Sequence, residues 1–570
     1  MSLWQKSRNL IPSVITLFLF INFSSCSSAH KKETSYQNGM VVSTHSIASK
    51  VGIDILKKGG NAIDAAVAVS YALSVVYPEA GNIGGGGFML IRYNDGGTTA
   101  IDFRETAPGK SNRDMYLDIE GKVIPELSTV GALSVGVPGT VAGTIYALEK
   151  YGSMSREEVI RPSIELAEAG WVLDRPLGGD EFKRFPSSNA IFNKADGTPY
   201  QKGDVFIQKD LAKTLRLISE KGHQGFYSGE VAEKLIDTMQ KYNGLITRQD
   251  LNDYQVVERA PVRGTYRGYE IISMSPPSSG GLCLIELLNI LERYDIQALG
   301  WNTPETIHLV AEAERRAYAD RAEFLGDPDF VVIPTLKLLS KKFADRRAQD
   351  IDLKKATPSY LVTHGKLNPV AHEKEETTHY SIVDKQGTCV SVTTTLNGSF
   401  GSYLSVEGGG FLLNNEMDDF SAKPGEPNMY GLLGGDANAI EPHKRMLSSM
   451  APTILTKNGN NFMVIGTPGG STIITTVLQC IMNVVDHKMS IQEAVEAPRF
   501  HHQWYPDTIQ YEEEKSTISM STKKKLKSLG HDLSGRGNIG DAHGILIDPL
   551  SQTFKGGADP RGAVSAALGY

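Results

Sequence analysis

With 570 residues, 40% hydrophobic and 22% charged, the chain has the composition of an ordinary globular protein, which excludes a disordered, collagen-like or coiled-coil chain. Its length suggests three to four domains' worth of residues at about 150 each. A net charge of −7 without any basic block argues against nucleic acid as the main partner, and four cysteines are too few for a disulfide scaffold.

Lys6 and Arg8 precede an apolar stretch, residues 10–23, interrupted by Pro12, Ser13, Thr16 and Asn22. That stretch is too short to span a bilayer, which takes about 20 residues, and it reads as the apolar region of a secretory signal peptide over residues 1–25. Ser24-Ser25-Cys26 resembles a bacterial lipoprotein processing box, with Phe23 where Leu is usual. In that reading Cys26 is lipidated and begins the mature chain; in the plainer one the signal peptide is simply cleaved nearby. Residues 27–37 are a polar tether. Asn61 caps a predicted helix over 62–76. A glycine run at 84–87 leads into a strand over 88–91. Several helices fill 155–222, and Thr303-Pro304-Glu305 opens a long helix to about Ala322. Residues 356–376 are polar and aperiodic, with Glu373, Glu375 and Glu376, and read as an exposed segment. Strand-like residues 377–383, a turn at 384–387 and a second strand over 388–396 make a hairpin. A strand over 461–466 ends in Pro468-Gly469-Gly470-Ser471, and helical spacing follows over 473–485. Strand, glycine turn, helix is a geometry that aims backbone N–H groups at an anion. No repeat or Pro-rich linker divides the chain, so it reads as one continuous unit.

Common catalytic signatures are missing. There is no HExxH or GxSxG; Met89 stands where GxGxxG needs its last glycine; Arg104 stands where the P-loop ending at Gly109-Lys110-Ser111 needs its first. His501 and His502 are adjacent, so they do not share a helix face, and no acidic partners cluster with them. No metal or cofactor is expected. Cys283, Cys389 and Cys480 lie in apolar stretches and read as buried small hydrophobes.

The Glu376–Thr377 junction offers a different chemistry. A Thr hydroxyl is a weak nucleophile unless a peptide cut frees its own α-amine, whose pKa of about 7.7–8.0 suits a general base. On composition alone Thr377-Thr378 is ordinary strand propensity. The surroundings say more. Thr377-Thr378-His379-Tyr380-Ser381, Thr395-Leu396-Asn397, Leu413-Asn414-Asn415-Glu416-Met417-Asp418-Asp419-Phe420, Leu447-Ser448-Ser449-Met450 and Pro468-Gly469-Gly470-Ser471 together resemble the small subunit of γ-glutamyltransferases, which are N-terminal-nucleophile hydrolases. Upstream, residues 84–87, Asp102-Phe103-Arg104-Glu105 and Pro276-Pro277-Ser278-Ser279-Gly280-Gly281 match as well.

That resemblance implies an α+β fold, a four-layer αββα sandwich built from both pieces of a self-cleaved precursor: a large subunit, 26–376, and a small catalytic subunit, 377–570. The cut falls between Glu376 and Thr377, with Thr378 as the competing first residue. Thr377 is then the nucleophile and Thr395 its hydroxyl partner. Gly469 and Gly470 supply N–H groups to an oxyanion. Arg104 grips the glutamyl α-carboxylate in a fork that Lys cannot form, with Ser448 and Ser449 beside it. Asn397, Glu416 and Asp419 hold the α-ammonium, whereas Asp418 is structural. Residues 421–435 resemble the family's lid, with Tyr430 as its gate.

The activity implied is transfer of a γ-glutamyl group from small compounds such as glutathione to water, amino acids or peptides. The protein would be exported to the periplasm or outer membrane and touch the membrane only through a lipid on Cys26. Three alternatives stand beside it: a poly-γ-glutamate-cleaving relative, disfavoured by the lid; an acylase-type relative, disfavoured by the residues for a zwitterion; and a non-catalytic γ-glutamyl-binding lipoprotein, which predicts an uncut chain.

Overall fold

Asn61 starts the first long buried helix. Its side chain accepts the N–H groups of Ile63 and Asp64, and Asp64 returns a bond to the Asn61 N–H, a reciprocal cap. The helix Ala62–Val76 is buried on every side, in keeping with its mostly apolar content. It packs between helix Ser46–Lys57 and the hairpin strands Thr378–Asp384 and Cys389–Thr395. The structure is a computed structural model describing residues 34–362, 377–515 and 518–570; Ser35–Tyr570 form one compact unit. The signal segment, Cys26 and Glu376 lie outside the described residues.

Two sheets build the centre. The first runs Ala566–Gly569, Gly39–Ser43, Thr378–Asp384, Cys389–Thr395, Gly86–Arg92, Thr98–Phe103, Val257–Arg259; the second runs Phe554–Ala558, His543–Ile547, Asn460–Gly466, Thr453–Lys457, Tyr269–Ser273, Val262–Tyr266. Neighbouring strands are antiparallel throughout both. The sheets face each other, Cys389–Thr395 against Asn460–Gly466 and Gly39–Ser43 against His543–Ile547. Helices Ser46–Lys57, Ala62–Val76 and Thr140–Tyr151 cover the first sheet; Gly280–Leu291, Ile473–Val485 and Ile491–Glu496 cover the second. The result is the expected αββα sandwich.

The inner strands of the first sheet are buried on both faces, whereas its edge strands Val257–Arg259 and Ala566–Gly569 are partly exposed. Met40, Val42, Phe88 and Leu90 join the core shared with the second sheet, whereas Val41, Met89 and Ile91 join the core under Ala62–Val76. This is the two-residue alternation of a strand. Each such side chain contributes about 1.5–3 kcal/mol, and a one-residue slip would exchange the two sets.

Local signals place several elements as expected: Ala62–Val76, Ile473–Val485, and the hairpin at Thr378–Asp384 and Cys389–Thr395. The helix opened by Thr303, whose side chain accepts the Thr306 N–H, runs Pro304–Phe324. The three internal cysteines are buried. One expectation is corrected. Of the segment read as exposed, Ala356, Ser359 and Val362 are buried. Glu312 holds Thr357 and Asp507 holds the Ser359 N–H, partners distant in sequence that bury part of the stretch, while Tyr360 and Leu361 stay exposed. Residues 363–376 lie outside the described part.

Candidate active site

The hairpin creates the centre of the site. Thr378 pairs with Thr394 across the ladder, so one step further Thr377 meets Thr395. Their hydroxyl oxygens are 3.4 Å apart, longer than a formed O–H···O bond, and both residues are buried. Thr395 Oγ1 accepts the Asn397 N–H at 2.7 Å, which orients its hydroxyl. The adjoining glycines are a packing requirement: a Cβ on Gly85 would lie 2.0 Å from the Thr395 carbonyl oxygen.

The glycine turn closes over the same point. After strand Asn460–Gly466 the chain passes Gly469 (φ 131°) and Gly470 (φ 49°) into a short 3-10 turn and then helix Ile473–Val485. A side chain at 469 would be strained by that φ and would meet Thr472 Oγ1 at 2.5 Å. Thr472 locks the turn by donating its N–H and hydroxyl to the Gly469 carbonyl, at 2.8 and 2.7 Å.

Charged groups form the wall opposite. Arg104 is fully buried; its Nη1 reaches Glu416, its Nη2 reaches Asp419 at 2.5 Å, and Nε donates to the Met446 carbonyl at 3.2 Å. Although burial acts to lower it, the Glu416 and Asp419 carboxylates push the Arg104 guanidinium above its ordinary range. Burial raises Glu416 well above the usual carboxylate range and raises Asp419, against the pull of Arg104. Glu105 lies 3.7 Å from Arg104, and burial lifts its carboxyl to about 8. Arg104 thus faces three carboxyl groups, and Arg321 acts on Asp419 as well.

The serine pair is held from behind. Ser279 donates its N–H and hydroxyl to the Ser448 carbonyl, at 2.7 and 2.6 Å. Ser448 Oγ accepts the Met450 N–H, and Ser449 Oγ accepts Arg321 Nη2 at 3.2 Å. Each hydroxyl oxygen therefore already accepts a bond and has its hydrogen to donate.

Arg104, Thr377, Thr395, Asn397, Glu416, Asp419, Tyr430, Ser448, Ser449 and Gly470 line one pocket of about 20 Å³, little more than one water needs. Gly469 lines instead an adjoining cavity of about 680 Å³, and Tyr430 lines both. Tyr430 donates its hydroxyl to the Asn397 carbonyl at 2.8 Å. Asn397 Nδ2 is turned to the Asn415 carbonyl. Asp418 accepts Ser128 Oγ and the Met429 N–H, the structural role expected of it.

Sequence reasoning missed four contributors. Arg321 and Ser279 brace the serines, Asn428 ties the 421–435 loop to Asp419 at 3.2 Å, and Glu105 sets the local charge. Ser279 and Glu105 stand inside motifs already singled out; for Arg321 and Asn428 no local pattern marks the contact.

Among the described residues, His308, Glu312 and His531 are the one grouping close enough to hold a metal. Glu312 there binds Arg315, Arg316 and Thr357, and two guanidinium groups oppose a further cation. His501 and His502 diverge: the first bonds Thr475 and Gln503, the second contacts Arg315 and Asp507.

Known proteins share both this sequence and this fold. A family model described as gamma-glutamyltranspeptidase matches residues 48–569. The chain is 49% identical over 542 residues to a glutathione hydrolase proenzyme of Escherichia coli (strain K12), covering 94% of this chain and 92% of that protein. A cephalosporin acylase from Bacillus halodurans superposes with a TM-score of 0.82 at 25% identity, over 97% of this chain and 99% of that one. A gamma-glutamyltranspeptidase chain from Helicobacter pylori has a TM-score of 0.54 at 47% identity, over 56% of this chain and 93% of that one.

Proposed function

The chain belongs to the gamma-glutamyltranspeptidase family, and from that premise we propose that it is an exported, self-processing γ-glutamyltransferase and glutathione hydrolase. The observation that carries this reading is the convergence of the Thr377 hydroxyl, Gly470 and the Arg104–Glu416–Asp419 cluster on one pocket. The chemistry follows from those groups.

In the precursor the Thr377 hydroxyl attacks the Glu376 carbonyl and the peptide C–N bond breaks, which frees the Thr377 α-amine and leaves an ester; water then opens that ester, releasing the Glu376 carboxylate and the Thr377 hydroxyl. That amine then takes the hydroxyl proton as Thr377 Oγ attacks the γ-carbonyl of the substrate. Gly469 and Gly470 N–H groups stabilise the oxyanion, and Thr395 donates to the nucleophile. The leaving amine departs protonated, and a γ-glutamyl ester remains on Thr377. Water or an amino acid resolves it, in ping-pong order.

The substrate head is a zwitterion. Its α-ammonium sits beside the Glu416 and Asp419 carboxyl groups, with Asn397 Oδ1 alongside. Its α-carboxylate takes the Arg104 fork and the Ser448 and Ser449 hydroxyls. The pocket is small, so binding requires the Arg104 contacts to part and re-form on the ligand. The 421–435 loop acts as a lid with Tyr430 at its edge, which favours small γ-glutamyl peptides over polymers. Large (26–376) and small (377–570) subunits stay together, since strands of both alternate within one sheet. No helix among the described residues is long and apolar enough to cross a membrane; the proposed attachment is a lipid on Cys26.

The test is intact mass and N-terminal sequencing of purified protein, followed by glutamate release from glutathione. Two chains, the smaller beginning Thr377-Thr378-His379, together with turnover are expected; acyl mass on Cys26 marks the lipid. A single chain without turnover refutes the reading.

A further inference from the structure

The large cavity beside the nucleophile pocket carries chemistry that the glutamyl head does not use. An acyl carbonyl on Thr377 has two sides. The head occupies the pocket of Arg104, and the leaving amine departs from the other side, where an acceptor must also enter. Gly469 and Tyr430 stand at the border of the 680 Å³ cavity, so that cavity is the room on the second side.

Its wall holds three arginines, in different states. Arg561 is nearly unexposed and bound by Glu512 and Asp559, so its charge is balanced in place. Arg536 donates to Gln510 at 2.7 Å. The Arg175 side chain is 34% exposed and lies over the Tyr77 ring at 4.9 Å. Its carboxylate neighbours are at 3.2 Å (Glu79) and 3.8 Å (Asp174), looser than the 2.7–2.9 Å of a tight charged pair. Asp174 also binds His45 Nε2 at 3.1 Å. The planar fork of Arg175 matches a carboxylate.

We propose that Arg175 docks the carboxylate of the departing dipeptide and of an incoming dipeptide acceptor, and so selects leaving groups and acceptors that end in a carboxylate at that reach. This rests on the γ-glutamyltransferase reading above. Arg175 is a specificity residue that does not line the pocket of Thr377 and Arg104, and its replacement leaves self-cleavage intact.

The experiment compares two donors on mature Arg175→Gln enzyme: glutathione, whose leaving group bears a carboxylate, and γ-glutamyl-p-nitroanilide, whose leaving group bears none. KM for glutathione is expected to rise about 10-fold or more, the scale of one lost charge-assisted bond, with KM for the anilide unchanged. Arg175→Lys should recover part of the loss. In transfer assays the variant should lose preference for glycylglycine over its C-terminal amide. Equal change on both donors, or on neither, overturns the assignment. So does a glutathione-selective loss in Arg536→Gln with none in Arg175→Gln. If wild-type protein releases glutamate from neither donor, the functional reading itself falls and this inference with it; normal wild-type turnover isolates a failure to Arg175.

Discussion

Arg104→Lys tests the substrate pocket most directly, because it keeps the charge and removes only the fork. Arg104 uses Nη1 for Glu416, Nη2 for Asp419 and Nε for the Met446 carbonyl. A lysine ammonium is a single point with three donors. It cannot reach both carboxylates and the backbone together, nor offer two parallel N–H bonds to a substrate carboxylate. Loss of one charge-assisted bond of the pair is about 1.5–3 kcal/mol, which corresponds to a rise in KM of about 10- to 150-fold. Maturation and kcat should stay within about threefold, since ester formation uses Thr377 and the glycine turn and the lost contact is a binding one. The assay is steady-state hydrolysis of γ-glutamyl-p-nitroanilide by variant protein whose two-chain maturation and melting temperature have been checked. Full truncation, Arg104→Met, leaves buried carboxyl groups without their cation and should destabilise the fold by about 3–5 kcal/mol, so it is the poorer probe. An unchanged KM for Arg104→Lys would remove Arg104 from the substrate site. A fall in kcat at unchanged KM would move its role to the reacting carbonyl.

Thr377→Ala should abolish both self-cleavage and turnover, whereas Thr377→Ser should keep some of each; a Thr377→Ala protein that still matures to two chains refutes the nucleophile assignment. Thr395→Val leaves the buried Asn397 N–H without its 2.7 Å acceptor, at about 1–3 kcal/mol, and should lower kcat about 10-fold or more, with Thr395→Ser restoring most of it. Gly469→Ala must hold φ near 131° and displace Thr472; shifting the oxyanion donors by about 1 Å should cost about 100-fold in kcat, and wild-type kcat in this variant would contradict the geometry. Glu105 titrates near 8 in the folded protein against an ordinary 4.5. The native state therefore holds a proton that the unfolded chain releases, and this group's contribution to stability falls as pH rises through that window. From pH 5 to 7.5 wild type should lose up to about 3 kcal/mol relative to Glu105→Gln, as read from urea unfolding at both values; an equal gap at both pH values contradicts the assignment.

Elements whose causes are local are legible in the amino-acid sequence. Asn61 and Asp64 announce the start of Ala62–Val76; the turn at 384–387 announces the hairpin; Pro468-Gly469-Gly470 announces the strand-to-helix turn. Each depends on residues within a few positions, so the chain carries the signal on its face. The candidate site residues are legible only through resemblance to a family, because spacing alone does not tell Arg104 from a surface charge. How those residues meet is decided by the tertiary structure alone. Thr377 lies against Thr395 through strand register, and Arg104 touches Glu416 and Asp419, more than 300 positions away. The charged helix segment Thr306–Arg321 is wholly buried, because Glu312 pairs with Arg315 and Arg316, and Asp320 pairs with Arg347. The same holds for Arg321 behind Ser449, Asn428 against Asp419, and Thr357 and Ser359 held by Glu312 and Asp507. Whether the partner is near in sequence, as Glu312 is to Arg315 and Arg316, or far, as Asp320 is from Arg347, desolvation with its compensating contact exists only once the layers have closed.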